Sequence, residues 1–545
     1  MAKIWCERLA VFLIFVSLGI IWSGIMPLWQ GPDEPAQFAY VQSMEHRLLP
    51  PRQDVVPAGQ SPWLFNPSPA ESLSITLSAR ARVLQDPGAW LSLSETQRTH
   101  DLQDLARVSA RPQYPFMGTQ NYVEIYPPLY YDAAAWGLRA GHVRNILAAA
   151  YSARFFSALW LGLAGVLWDM ILAFVIRAGF ARLGLLACLV LLIPTIGMLG
   201  GTVSNDIVAD AASLGILCGA LWGTKNPGRL TALPGAAGFG LVAGLAVWTK
   251  EEAYLALAVS APFVLRAVWR NAPSRRRWSW LGIAAAAALL VAAPWLRFTL
   301  HRYGSLLPPL TYQGAGSNPR TWGFVLHHEL LNTVFEGNLM VTQAMFGMDC
   351  PWWRPWASSA AWIHILLGLV GIVGLSVGLI SSRRQTGWRL AAGWIVIGAA
   401  VLWALQGEYN VLTGADFLQG RYFLFLVGPV SWLVAHLWIK LPKIGQGLGL
   451  AGAAVLSLAT MSHTLWRYYH HTLFAFLLGR IVILAPASAI DMSRLSVVAV
   501  IAMWVWLEIH ILNSLDSSGA AEAPTTGHAV PSSKRAPQSC EEPSP

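Results

Sequence analysis

Along this chain, apolar runs of roughly 20 residues alternate with short polar connections, and each run is long enough to cross the hydrocarbon of a bilayer once. The first covers about 9–29 and follows Lys3 and Arg8. Others fall near 152–176, 183–203, 206–222, 234–248, 253–269, 279–297, 359–380, 390–405, 422–439, 446–463, 473–489 and 495–512. They predict an all-α polytopic membrane protein with about 13 transmembrane helices. The stretch 128–141 reads as a re-entrant or interfacial helix. Two polar segments, 30–125 and 298–357, are too long to be ordinary connections. The membrane domain therefore covers 1–512, and the Ser-, Ala- and Pro-rich tail 513–545 is expected to be disordered.

Charge orients the pattern. The first run exceeds a signal-peptide core and lacks a small-residue cleavage site, so it reads as an uncleaved span with a cytoplasmic N-terminus. Alternation then puts Arg177 with Arg182, Lys225 with Arg229, Arg270 with Arg275, Arg276 and Arg277, Arg383 with Arg384, and Lys440 with Lys443 on the cytoplasmic side. Short basic loops on that side are what the positive-inside rule requires. Segments 30–125 and 298–357 fall outside, the first as a large extracytoplasmic loop with helices.

Composition agrees. The chain is 55% hydrophobic and 12% charged, against about 25% charged in soluble domains. The net charge of +9 is largely used by the basic loops and calls for no nucleic acid. The 27 tryptophans suit interfacial anchoring. Cysteines at 6, 188, 218, 350 and 540 form no CxxC or Cys/His metal pattern. Cys350 and Cys540 are predicted outside, which leaves a disulfide between them open.

With orientation set, mixed polar groups collect on the outer side. Asp33 and Glu34 stand just beyond the first span, and Pro35 opens a helical run to about Leu49. They read either as a site or as a helix cap. Ser204-Asn205-Asp206 reads as a polar site or as a hairpin turn that caps the next helix. Thr249-Lys250-Glu251-Glu252 carries the one Lys in a predicted outer loop apart from the tail, and it functions there, snorkels or belongs to a solvated turn. His327 with His328 suits loop packing better than metal binding. Glu408, Asp416 and Arg421 occupy the loop before 422–439, where positive charge is not needed for orientation. Pro127 and Pro128, with Tyr122, Tyr126, Tyr130, Tyr131 and Trp136, suggest interfacial anchoring at the return to the membrane.

The order GPDEPAQFAY, YPPLYY, SND, PWLRFTLHRYG and QGRYF, over about 9–470, resembles a bacterial family of predicted membrane proteins of unassigned function. Its usual forms run close to PPDEPAHF, PPLYY and QGRYF-P. That family is similar to the GT-C glycosyltransferases, which have many spans, a large first outer loop and an active site at the outer membrane face. Gln37 and Tyr126 stand where the family more often has His.

The resemblance implies a GT-C-like fold in the bacterial inner membrane, with an extracytoplasmic active face. It implies transfer of a sugar from a polyprenyl-phosphate donor to a glycan, lipid or protein acceptor, with membrane lipid around it. Asp33 is then the base, with Glu34 as helper or metal ligand. Lys250 and Arg421 receive the donor phosphate, backed by Arg297 and Arg302. Further candidates are Asn205, Asp206, Glu251, His327, Asp416 and Tyr126. A divalent metal, Mg or Mn, stays open, with Asp33 and Glu34 as its ligands. The alternatives are a transporter, for which Asp169 is the clearly mid-span acid, and a non-catalytic subunit of cell-envelope polysaccharide assembly.

Overall fold

The computed structural model describes residues 2–45, 67–78, 93–110, 121–177, 179–306, 321–325, 376–377, 380, 387–413, 420–481 and 483–519. Among these there is no strand. Helix α1 is Ala2–Ile25. The first polar segment contains α2 (Glu34–Met44), α3 (Pro69–Ser78), α4 (Glu95–Ser109) and a 3-10 turn at Tyr122–Ile125. Then come α5 (Leu129–Ala140), α6 (Ile146–Ala173), α7 (Gly179–Leu192), α8 (Pro194–Gly200) and α9 (Asp206–Lys225). They are followed by α10 (Leu233–Val247), α11 (Glu251–Asn271) and α12 (Ser274–Tyr303). Helices α13 (Trp388–Gly393) and α14 (Ala399–Thr413) are joined by a π turn. The chain ends with α15 (Val427–Trp438), α16 (Lys443–Tyr469), α17 (Leu473–Leu477) and α18 (Ala487–Gly519).

Eight of the described helices are long and apolar enough to cross a membrane, or nine when α7 and α8 count as one bent span. The protein is thus a multi-pass helical membrane protein. The 80° bend between α7 and α8 falls at Pro194, which lacks the N–H to continue a helix and clashes with the preceding turn. The expected span 359–380 lies largely outside the described residues. The run 128–141 is the short helix α5, not a full span.

The expected span 473–489 is corrected. Helix α17 stops at Leu477, Gly479 takes φ +72°, and the Arg480 N–H returns to the Ala475 carbonyl at 2.9 Å. That is a glycine helix stop, and Pro486 precedes the next helix. Hydropathy registers the apolar residues here but not the backbone break. The last helix runs on to Gly519, past the expected boundary at 512.

The core is built where α1, α6, α8 and α9 meet. Phe15 and Trp168 touch edge to face at 6.2 Å, and both are buried. Gly201 lets α1 and the α8 terminus touch by backbone: a Cβ there would lie 2.6 Å from the Ser23 nitrogen. Helix α18 runs antiparallel to α1. The Ser493 hydroxyl donates to the Ile21 carbonyl at 3.0 Å near one end, and Trp506 and Leu507 join Cys6 and Glu7 in one groove near the other. The helical bundle therefore begins and finishes at the same end. At that end Arg182 donates to Asp169 at 2.6 Å and to Glu7 at 3.3 Å. Arg182, expected in a basic loop, is instead held within α7 by this ion pair. The opposite end, past Ile25, carries the candidate site.

Candidate functional site

The entrance to α2 is fixed by a residue that local sequence did not single out. Arg154, on α6, is wholly buried and forms a bidentate pair with the wholly buried Glu34, at 2.7 Å from Nε and 2.8 Å from Nη2. Its other N–H groups reach the carbonyls of Ser23, Met26 and Pro27 at 2.8, 2.9 and 2.9 Å. All five guanidinium donors are used. Glu34 also accepts from the Gly31 N–H at 3.2 Å and the Val203 N–H at 3.0 Å. This latch ties the end of α1, the start of α2, α6 and the turn before α9 to one carboxylate. An Arg inside an apolar run was the signal available in the sequence, since such residues face the interior and pair there.

Asp33, next to the latch, is the N-cap of α2 at φ +54° and ψ +14°. Left-handed backbone is uncommon outside glycine, although Asp tolerates it better than most. Its carboxylate makes no capping hydrogen bond to α2, so the simple capping reading does not describe it. Asn205, the N-cap of α9, likewise makes no side-chain cap; Ser204 Oγ accepts from the Asp206 N–H at 3.2 Å.

Beyond Asp33 a polar relay connects motifs far apart in the chain. The Tyr131 hydroxyl donates to Gln37 Oε1, and Gln37 Nε2 donates to Asn205 Oδ1 at 3.3 Å. Tyr40 stacks on Tyr131 at 3.9 Å and donates to the Tyr126 carbonyl at 3.1 Å. Tyr130 pairs with Ser157 at 2.8 Å. Tyr130 and Tyr131 are thus buried, bonded members of this region rather than interfacial anchors. Trp136, at 64% exposed, keeps that character.

Lys250, the N-cap of α11, is buried rather than snorkelling. Its Nζ lies 2.6 Å from Asp206 Oδ1 and 3.4 Å from Glu252 Oε1. It also lies 5.1 Å from the Tyr126 ring centre and 4.6 Å from that of Tyr422. Burial alone would lower its pKa, but Asp206 and Glu252 outweigh it and hold the ammonium charged. Burial raises the pKa of the Tyr126 hydroxyl; Lys250 opposes this, while Glu251, Tyr422 and Asp33 add to it. Asp33 and Lys250 therefore bear on the same tyrosine. Glu251 itself is exposed.

The remaining candidates separate. Arg297 is exposed on α12. Arg302, one turn further on, is half-buried over the Tyr303 ring at 5.8 Å, and its Nε and Nη2 have no hydrogen-bond partner among the described residues. Arg421 belongs to the 3-10 helix Gly420–Leu426 by its backbone, but its side chain is outside the described residues. His327 and Asp416 also lie outside them.

A divalent ion on the Asp33–Glu34 pair does not fit these surroundings. Both Glu34 oxygens are occupied by N–H donors, and no group of three His, Cys, Asp or Glu among the described residues could hold a metal. Behind Arg154, a cleft of about 440 Å³ opens between α1, α5, α6 and α18, lined by Tyr151, Phe155, Phe156 and Met492.

The fold defines a multi-pass membrane protein with a buried polar centre at one end of its helices. Residues 15–429 match the family described as predicted membrane protein (DUF2142), and the chain belongs to that family. No curated protein matches it.

Proposed function

We propose that this protein is an integral membrane glycosyltransferase that moves a sugar from a polyprenyl-phosphate donor to an extracytoplasmic acceptor. The observation that carries the reading is convergence. GPDEPAQFAY, YPPLYY, SND, TKEE and QGRYF are scattered along the sequence, yet Gln37, Tyr126, Tyr131, Asn205, Asp206, Lys250 and Tyr422 are linked by contacts, and Asp33 stands one helical turn before Gln37, whose N–H donates to its carbonyl at 2.9 Å. In this reading Asp33 takes the proton of the acceptor hydroxyl as its oxygen attacks the anomeric carbon. The bond from that carbon to the donor phosphate oxygen breaks, and the electron pair leaves on the phosphate. Glu34 positions Asp33 through the Arg154 latch.

The phosphate role moves away from Lys250, whose charge is already met by Asp206 and Glu252. Arg302, with two unmatched donors, fits it better, with Arg421 as the second cation. The transporter alternative loses its mid-span acid, because Asp169 is paired with Arg182. We assign about 12 crossings, an even number, since the bundle begins and finishes at one end. We assign that end to the cytoplasm and the site to the outer face of a bacterial inner membrane.

The test is purified protein in liposomes supplied with a panel of polyprenyl-phosphate sugars, with released polyprenyl phosphate measured by mass spectrometry. Donor-specific release supports the assignment. Solute uptake by the same vesicles without release from any donor rejects it in favour of transport.

A further inference from the structure

Among the described residues, two buried polar atoms around the Lys250 cluster lack hydrogen-bond partners: Asn205 Nδ2 and Glu252 Oε2. Their residues are 2% and 5% exposed, and leaving such atoms unmatched is costly. The two atoms are complementary, since an amide nitrogen donates and a carboxylate oxygen accepts. They also flank one ion cluster. Asn205 immediately precedes Asp206, and the carboxylates of Asp206 and Glu252 grip the same Nζ at 2.6 and 3.4 Å.

The polar relay takes up the oxygen of the Asn205 amide. In this arrangement Gln37 Oε1 accepts from the Tyr131 hydroxyl, Gln37 Nε2 donates, and Asn205 Oδ1 accepts at 3.3 Å. Asn205 Nδ2 is left to donate elsewhere. Asp206 and Glu252 already take up the Lys250 ammonium, so the cluster offers no free cation to a phosphate. What matches one unmet donor and one unmet acceptor beside carboxylates is a neutral group that does both. A hydroxyl is such a group, and the Tyr126 and Tyr422 rings pack against the same Nζ at 5.1 and 4.6 Å.

We propose that Asn205 and Glu252, around Lys250, form a subsite for the hydroxyl-bearing ring of a sugar, separate from the position that takes the anion. The proposal rests on the glycosyl-transfer reading and deepens it: sugar and phosphate of one donor are read by different elements, α9 and α11 for the ring and the end of α12 for the charge. Asn205 donates to a ring hydroxyl oxygen, and Glu252 accepts from a hydroxyl.

The experiment is saturation-transfer NMR on the full-length protein in detergent, with free hexoses, pentoses and N-acetylhexosamines as probes and inorganic phosphate as competitor. At least one sugar should bind saturably and resist competition by phosphate. Binding should weaken at least tenfold in Asn205→Leu and in Glu252→Gln, each checked for folding by its thermal melt. Absence of saturable binding by any sugar, or unchanged binding in both folded variants, overturns the subsite. If the variants do not fold, the wild-type competition decides, because displacement of the sugar by phosphate contradicts a separate neutral subsite. Donor turnover measured on the same preparations separates the two claims. Asn205-dependent binding without turnover of any donor sinks the enzyme reading alone, and turnover indifferent to both substitutions sinks the subsite alone.

Discussion

Replacing Glu34 by Gln tests the latch on which the site is built. The carboxylate receives two N–H groups from Arg154, one from Gly31 and one from Val203, all between 2.7 and 3.2 Å. Glutamine keeps the shape but presents an NH₂ to donors on one side and removes the charge opposite a wholly buried guanidinium. Removing one partner of a buried ion pair costs about 3–5 kcal/mol. Replacing both residues by Met removes the uncompensated charge, and in some proteins such a swap restores stability. Here it would take the Arg154 bonds from the Ser23 and Met26 carbonyls and the Glu34 bonds from two backbone N–H groups, the Pro27 carbonyl keeping the Gln30 N–H at 3.2 Å, and a typical hydrogen bond contributes about 1 kcal/mol net. The double variant should therefore stay well below wild type. The assay is reversible unfolding of the detergent-purified protein, with Glu34→Gln measured beside a double-mutant cycle of Glu34→Met, Arg154→Met and the Met pair. A loss under about 1 kcal/mol for Glu34→Gln, or full recovery in the Met pair, would refute the reasoning.

Other consequences are as direct. Gly201→Ala drives a Cβ to 2.6 Å from the Ser23 backbone and 2.7 Å from the Gly19 carbonyl, so it should destabilise by about 1–3 kcal/mol in unfolding measurements. Gly219→Ala has nothing within 4 Å and should be neutral or gain up to about 1 kcal/mol. Burial pushes Glu45 and Asp132 each up to about 7, with Arg139 working to lower both. A raised carboxylate favours the fold while protonated, so its contribution is present below the ordinary carboxylate range and is lost as pH rises through about 7. Amide protection factors, which divide out the base catalysis of exchange itself, should fall near the end of α2 and along α5 as pH rises from about 4.5 to about 7, and Asp132→Asn with Glu45→Gln should flatten that profile. Asp169→Asn should lower stability by stranding Arg182, while donor turnover stays at the wild-type level; loss of turnover in a folded variant would contradict a structural role for Asp169.

Much of the architecture could be read from hydropathy, because the bilayer imposes one length on every crossing. The site was partly legible for a related reason: topology put Asp33, Asn205, Lys250 and Tyr126 on one side before any contact was known. Long-range pairing was not legible. Arg154 and Glu34 are 120 residues apart, so nothing local names either as the partner of the other. Lys250 looked like a surface charge because its neighbours in sequence are polar. Its burial depends on Tyr126, Asp206 and Tyr422 arriving from other helices. The 473–489 run misled because an apolar stretch reports burial, whereas its path turns on Gly479 and Pro486.

The most direct measurement compares wild type with Asp33→Asn, a substitution that keeps side-chain shape and tolerance of the left-handed backbone, in liposomes loaded with the donor found by the polyprenyl-phosphate panel. Asp33 as the base predicts a fall in turnover of about 10²-fold or more with unfolding temperature unchanged. Equal turnover by the two proteins would contradict the assignment of catalysis to Asp33.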